Sequence, residues 1–355
     1  MCAMELNQMG WNDSLEECLQ PFAQAGLEAA RIAVEHRGGY CIYSAHGELM
    51  AEVSGKFRHE AVCPSDFPAV GDWVAVQPLP QEGKAVIHAV LPRRTKFSRT
   101  AAGEGGEQIL AANMDEVFIV AALDGELNLR RLERYLTLAW ESGAGPTVVL
   151  TKADLCPDTD ACIRQAQSVV GGVPVHAVSS VTGQGMEKLA ACLVRARTVA
   201  LLGPSGVGKS TLINYWCGEE RLKVQAVREA DRKGRHTTTQ RQLILLPSGA
   251  LIIDTPGMRE LQLWEGAQGM DQTFADIETL ATRCRFADCQ HEAEPDCAVR
   301  EAVESGELDA ARLESHHKLK RELQYFERKH DKRAQAVERR RIKSMTRGLR
   351  AFYRE

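Results

Sequence analysis

A chain of 355 residues exceeds one compact core and implies two or three domains of roughly 100 to 150 residues each. Its 44% hydrophobic and 26% charged residues are those of an ordinary globular protein, and no apolar run approaches the roughly 20 residues that span a bilayer, which excludes a membrane protein. The start, Met1 to Leu6, has no basic patch ahead of an apolar stretch; the cytoplasm is therefore the expected compartment, and the eleven scattered cysteines are read as reduced thiols, some of them metal ligands.

Ser14-Leu15-Glu16-Glu17 has capping-box spacing, and Leu15, Leu19 and Phe22 recur at helical intervals, which predicts a short helix within an N-terminal helical extension over 1–30. Over 31–92 the pattern changes to short β-prone runs: Arg31 to Glu35, Tyr40 to Tyr43, Glu48 to Val53, Asp72 to Val76 and Ala85 to Val90. Five such strands predict a small barrel of the oligonucleotide-binding (OB) type, in which Tyr40, Tyr43, Phe57 and Trp73 either stack on bases or fill the core. Residues 93–112, basic at the start and carrying Gly103, Gly105 and Gly106, are expected to form a mobile linker.

Over 113–263 strand and helix signals alternate: Val117 to Ala122, a helix Leu129 to Glu141, Thr147 to Leu150, a helix Ala161 to Val169, Val173 to Val178, a helix Met186 to Val194, and Thr198 to Leu202. This rhythm predicts an α/β domain with a parallel sheet covered on both faces. Two further strands, Leu243 to Leu246 and Ala250 to Ile253, are joined by the turn-forming Pro247-Ser248-Gly249. Beyond Leu263 the strands stop, and 264–355 is expected to be helical, with a cysteine cluster inside it. The net charge of −4 conceals a basic tail, because Lys318 to Glu355 holds 14 Lys and Arg against five Asp and Glu. Such a run is either the solvated face of a helix or a contact for nucleic-acid phosphates.

Gly203-Pro204-Ser205-Gly206-Val207-Gly208-Lys209-Ser210 follows an apolar strand and precedes helix-compatible residues from Thr211, the context a phosphate-binding loop requires. Its glycines let backbone N–H groups turn toward phosphate oxygens at a helix N-terminus, Lys209 reaches the terminal phosphates, and Ser210 offers a hydroxyl to Mg²⁺. The base must be read elsewhere. In Thr151-Lys152-Ala153-Asp154, also at a strand end, the Asp154 carboxylate can accept from guanine N1–H and N2–H₂ together, whereas adenine presents an acceptor at N1 and leaves the carboxylate unpaired. Lys152 lays its stem along the base, and Ser179-Ser180 are placed to offer a backbone N–H to guanine O6.

Asp254-Thr255-Pro256-Gly257 ends a strand and matches the segment in which an Asp approaches Mg²⁺ through water and a Gly amide senses the γ-phosphate. Upstream, Lys233 to Thr239 is polar and aperiodic, the expected switch segment, in which Thr237 or Thr238 ligates Mg²⁺. Met258 stands where Ras-type enzymes carry the water-orienting glutamine, so His236 is the candidate catalytic group within the chain, and slow turnover raised by a partner is expected. Cys284, Cys289, His291 and Cys297 supply three thiolates and an imidazole in a segment too polar for a core, a set that suits one closed, structural Zn²⁺.

With these residues assembled, the chain resembles the RsgA (YjeQ) family of small-ribosomal-subunit-dependent GTPases over almost its whole length. The likeness rests on Gly71-Asp72-Trp73-Val74, on Ala112-Asn113-Met114-Asp115, on the order in which Thr151 to Asp154 and Ser179-Ser180 precede Gly203 to Ser210, His236 to Thr239 and Asp254 to Gly257, and on the cysteine cluster. The resemblance implies a circularly permuted P-loop GTPase domain flanked by an N-terminal OB-fold β-barrel and a C-terminal helical zinc-binding domain. It also implies hydrolysis of GTP to GDP stimulated by the small (30S) ribosomal subunit during its late maturation, with 16S rRNA contacted by the flanking domains of a monomer. Two departures stand out: Thr151 occupies a position where many members have Asn, which is expected to weaken a hydrogen bond bracing the base loop, and the basic tail is long. The alternatives from other classes are an ATP-dependent kinase on the same phosphate loop and a nucleotide-switched RNA-binding adaptor with negligible hydrolysis.

Overall fold

The leading helix α1 (Asp13–Ala23) is capped by Asn12 rather than Ser14: the Asn12 side chain accepts from Leu15 N at 3.1 Å, and Glu16 instead accepts from Trp11 Nε1 at 2.8 Å. Leu15 and Leu19 then turn inward. The computed structural model describes residues 5–100, 106–220, 222, 241–254 and 267–325, and the chain divides into two units, 1–262 and 263–355.

In the first unit, β1 (Glu28–His36), β2 (Gly39–Ser44), β3 (Gly47–Val53), β4 (Trp73–Leu79) and β5 (Lys84–Val90) close a five-stranded barrel in the order β1-β2-β3-β5-β4-β1, with β3 and β5 parallel and the short helix α2 (Gly55–Glu60) between β3 and β4. Alternate apolar residues, among them Ile32, Ile42, Leu49, Val74 and Ile87, fill its interior. Trp73 is a core residue, 2% exposed and edge-on to Trp11 at 4.8 Å, while Tyr40, Tyr43 and Phe57 are half-buried.

The segment expected to be a linker departs from that expectation. Lys96–Thr100 (β6) and Glu107–Ala112 (β7) form an antiparallel hairpin. The glycines at 103 and 105, on which the linker expectation rests, lie in the stretch between the strands, outside the described residues. The apolar side chains Phe97, Ile109 and Leu110 supply what a linker lacks, because they are buried. Before the hairpin, Arg93 clamps the fully buried Asp72: Nη2 and Nε donate to its carboxylate at 2.7 and 2.8 Å, and Nη1 and Nη2 also donate to the carbonyls of Ser65 and Phe67 at 2.6 and 2.8 Å. Burial raises the Asp72 carboxyl in spite of Arg93.

Beyond the hairpin come β8 (Glu116–Ala122), α3 (Leu129–Glu141), β9 (Gly145–Thr151), α4 (Thr159–Val170), β10 (Val175–Ala177), α5 (Met186–Ala190), β11 (Thr198–Leu202), α6 (Lys209–Cys217), β12 (Gln242–Leu245) and β13 (Leu251–Asp254). Strands β10-β9-β8-β11-β13 are parallel, and β12 adds to β13 antiparallel through the turn at Gly249, whose φ of 83° suits glycine. The sheet continues into the barrel where Val34 of β1 pairs with Gln242 of β12, beside an ion pair between Glu35 and Arg241 at 3.1 Å.

In the second unit, α7 (Ala267–Thr273), α8 (Ala275–Ala281), α9 (Ala298–Ser305) and a helix over 310–325 gather around buried Phe274. Arg312 lies 5.0 Å over that ring and donates to Asp276 at 2.7 and 2.8 Å and to the Thr273 carbonyl at 2.9 Å. The tail from 326 onward lies outside the described residues, and no helix among the described residues is long and apolar enough to cross a membrane.

Arg93→Met strands the Asp72 carboxylate without its cation and is expected to cost the first unit about 3–5 kcal/mol in chemical denaturation followed by tryptophan fluorescence. Adding Asp72→Asn to that variant is expected to recover part of the loss.

Candidate nucleotide and metal sites

Chain direction across the sheet reverses between β8 and β11: from β8 the strands run on to β9 and β10, and from β11 they run the other way to β13. A crevice at the carboxyl ends of such strands is where open α/β sheets bind ligands. The candidate nucleotide residues sit at these ends: Thr151 ending β9 with Lys152 to Asp154 after it, Ser179 after β10, Gly203 to Ser210 after β11, and Asp254 ending β13.

The phosphate loop is built by close approach. A Cβ on Gly203 would stand 2.3 Å from the Val120 carbonyl oxygen of β8, and Gly206 and Gly208 take φ of 83° and 98°. Lys209 opens α6 with its ammonium folded onto the loop, donating to the carbonyls of Gly203 and Pro204 at 2.8 and 2.7 Å. Ser205 and Gly206 are exposed, Val207 is buried, and Ser210 and Thr211 are half-buried on the first turn of α6. Burial lifts the Asp254 carboxyl to about 6, with Lys209 opposing, so its anionic form favours a nearby cation.

The base loop is tied to this loop directly. The buried Thr151 hydroxyl lies 2.5 Å from the Val207 carbonyl and 3.2 Å from that of Ala121, so threonine retains a brace that was expected to weaken without asparagine. Lys152, in the left-handed region at φ 59°, pairs with Asp124, and Asp154 is exposed on a 3-10 turn. Ala153 N donates to Val178 O at 3.1 Å, joining this turn to the end of β10. There the buried Ser179 hydroxyl accepts from Val181 N and Thr182 N, both at 3.2 Å, and Ser180 is half-buried. Gly185 is required by proximity, since a Cβ there would stand 2.2 Å from Ala177 O.

One contributor escaped the sequence reading, and a second, Asp115, was named there only within Ala112-Asn113-Met114-Asp115, with no role. Asp124 was invisible because its partner is 28 residues away, although a polar residue just after an apolar strand is a usable signal. Asp115 sets β8 against β11: its carboxylate accepts from Thr198 N at 2.8 Å and its own N–H donates to Thr198 O at 2.8 Å. His236, Thr237, Thr238, Gly257 and Met258 lie outside the described residues.

In the second unit, Cys284, Cys289, His291 and Cys297 present ligand atoms all within 4.8 Å of one another. His291 Nδ1 lies 3.7 Å from Cys284 Sγ and 3.4 Å from Cys297 Sγ, and these two sulfurs are 3.9 Å apart. The edge of a tetrahedron with bonds of about 2.3 Å is about 3.8 Å, so the donor set fits one tetrahedral metal ion. Glu294 shapes the loop by accepting from the backbone N–H groups of Gln290, Glu292 and Ala293 at 2.8 to 3.0 Å.

Thr151→Val is expected to leave the Val207 carbonyl without a partner and to weaken nucleotide binding by about 1–2 kcal/mol, roughly tenfold, in a fluorescent-nucleotide titration. Thr151→Ser is expected to restore it.

Comparison with known proteins accords with this geometry. The family description RsgA GTPase matches residues 90–264. A small ribosomal subunit biogenesis GTPase RsgA from Opitutus terrae is 46% identical over 98% of each chain, and the RsgA 2 protein of that name from Lactiplantibacillus plantarum is 49% identical over 84% of each. Among solved structures, YjeQ from Thermotoga maritima aligns with a TM-score of 0.62 at 26% identity, covering 84% of this chain and 98% of its own. YloQ, described as a circularly permuted GTPase, shares the fold with a TM-score of 0.59 over 84% of this chain and 95% of its own. With a barrel, a sheet whose base loop precedes its phosphate loop, and relatives matched end to end, this chain belongs to the RsgA family of circularly permuted GTPases.

Proposed function

We propose that the protein hydrolyses GTP to GDP and phosphate on the small (30S) ribosomal subunit during its late maturation, contacting 16S rRNA as a cytoplasmic monomer. The observation that supports the reading is the Thr151–Val207 contact, which joins the turn assigned to read guanine to the loop assigned to hold phosphate. The names of the relatives supply the partner. Asp154 accepts from guanine, Lys152 is held beside the base by Asp124, and Ser179 and Ser180 offer backbone N–H to O6. Gly203 to Thr211 hold the phosphates, and Lys209 leaves its carbonyl partners for the terminal oxygens. A bound Mg²⁺ would supply positive charge to offset that of the phosphates. Ser210, Thr237 or Thr238, and Asp254 through water are assigned to hold it, with Gly257 sensing the γ-phosphate.

His236 is assigned to orient the attacking water, in place of a group at Met258. The Cys284, Cys289, His291, Cys297 set is assigned to one structural Zn²⁺, because four protein ligands leave no open position for water. The division of labour follows the ranges 31–92 for an RNA-facing barrel, 113–263 for the GTPase domain and 264–355 for the zinc-binding domain with its basic tail. Phosphate release measured with and without purified small subunits tests the whole reading: slow turnover alone, raised at least tenfold by subunits and lost in His236→Ala, is expected. Turnover indifferent to subunits would favour the nucleotide-switched adaptor. Metal analysis is expected to return one zinc per chain, and chelation to unfold 264–325 in hydrogen exchange while nucleotide binding persists.

A further inference from the structure

The turn that carries Asp154 ends at a cysteine. Cys156 is the C-cap of the 3-10 turn Ala153–Leu155, and its N–H donates to Ala153 O at 3.2 Å. Its sulfur lies 3.6 Å from that of Cys162, in the first turn of α4, and both residues are half-buried and so reachable from solvent. Pro157 and the helix cap Asp158, which accepts from Ala161 N at 2.9 Å, fold the chain between them. The two sulfurs thus belong to separate pieces of structure: one ends the base-reading turn, and the other is carried by a helix anchored through buried Ala166, Val169 and Val170.

We propose that Cys156 and Cys162 form a dithiol modification site, closed to a disulfide by low-molecular-weight disulfides, through which oxidation weakens guanine nucleotide binding. This inference rests on the assignment of Asp154 to the guanine base. In the first step the Cys156 thiolate attacks a small disulfide, forming a mixed disulfide and expelling one small thiolate. Cys162 then attacks the Cys156 sulfur and expels the second. Two protein thiols are oxidised by two electrons, one small disulfide is reduced to two thiols, and the two thiol protons end on the leaving groups. Burial, Cys156 and Asp158 raise the Cys162 thiol, which lowers its thiolate fraction and disfavours it as the first attacker.

The bond requires the sulfurs to close from 3.6 Å to about 2.05 Å, a movement of about 1.5 Å. Helix α4 is held by its core contacts, so the movement falls on Cys156 and draws the Asp154 turn out of the register set by Ala153 N and Val178 O. Affinity for GDP is expected to fall about tenfold, a coupling of ordinary size between neighbouring sites.

The test uses the full chain, titrated with fluorescent GDP in reductant and after treatment with glutathione disulfide, with peptide mass spectrometry to map the link. The expected result is a Cys156–Cys162 cross-link, about tenfold weaker binding, and recovery on reduction. The double variant Cys156→Ser/Cys162→Ser, treated identically, can form neither the mixed disulfide at 156 nor the cross-link and is expected to bind like the reduced protein, which separates this pair from the thiols at 284, 289 and 297. Absence of the cross-link, or a mapped cross-link with unchanged affinity, overturns the inference. If the reduced protein binds ATP as well as GTP, the assignment of Asp154 fails instead.

Discussion

The first unit is organised around a charge held inside it. Arg31, 1% exposed on β1, donates to the carbonyls of Met9, Gly71 at 3.2 Å and Asn113 at 3.0 Å, with its guanidinium 5.3 Å over the Trp73 ring. Burial pulls its pKa down to about 10, with Asp115 and Asp72 opposing, so the group stays charged at neutral pH. A buried cation is tolerable only when its donors are satisfied. Here the acceptors come from the N-terminal turn, the barrel and the segment entering β8, so they are complete only when all three are assembled. Gly71 makes the assembly possible: its φ is 91°, and a Cβ there would fall 2.2 Å from Ala112 O. Gly71-Asp72-Trp73-Val74 and Ala112-Asn113-Met114-Asp115 are therefore two halves of one joint between barrel and GTPase sheet.

From that joint the nucleotide site is one strand away. Asn113, at φ 56°, gives its carbonyl to Arg31 and accepts from Arg94 N through its side chain at 3.1 Å. Two residues on, Asp115 fixes the start of β11 through Thr198, and β8 and β11 then run parallel to the point where Gly203 meets the carbonyl of Val120. The phosphate loop inherits its position from this register, and the base loop inherits its own from the phosphate loop through Thr151. Each link is a backbone group meeting a short side chain or a glycine, which leaves little room for adjustment.

Much of this was legible in the sequence where the chemistry is contiguous. Strand β11 and helix α3 have their predicted limits, and Thr151 to Asp154, Gly203 to Ser210 and the cysteine cluster are short runs whose spacing carries their meaning. What was not legible depends on distant partners. Arg31 looks like a polar residue in a strand until carbonyls 22, 40 and 82 residues away converge on it. Asp72 is likewise matched by Arg93, 21 residues on. The hairpin of β6 and β7 was missed because glycines speak for flexibility locally, whereas the burial that orders Phe97 and Ile109 is decided by the rest of the fold.

The barrel covers the outer edge of the GTPase sheet. The GTPase sheet ends on β12, an edge strand that without the barrel would offer unpaired backbone groups, and Lys233 to Thr239, the expected switch segment, precedes it in the chain. Barrel strand β1 covers that edge at Val34 and Gln242, the ion pair of Glu35 and Arg241 fastens its near end, and the Tyr43 hydroxyl donates to Leu243 O at 3.3 Å. The same strand carries Arg31. One element of the barrel thus meets both the segment leading into β8, through Arg31 and Asn113 O, and the outermost strand of the GTPase sheet, β12.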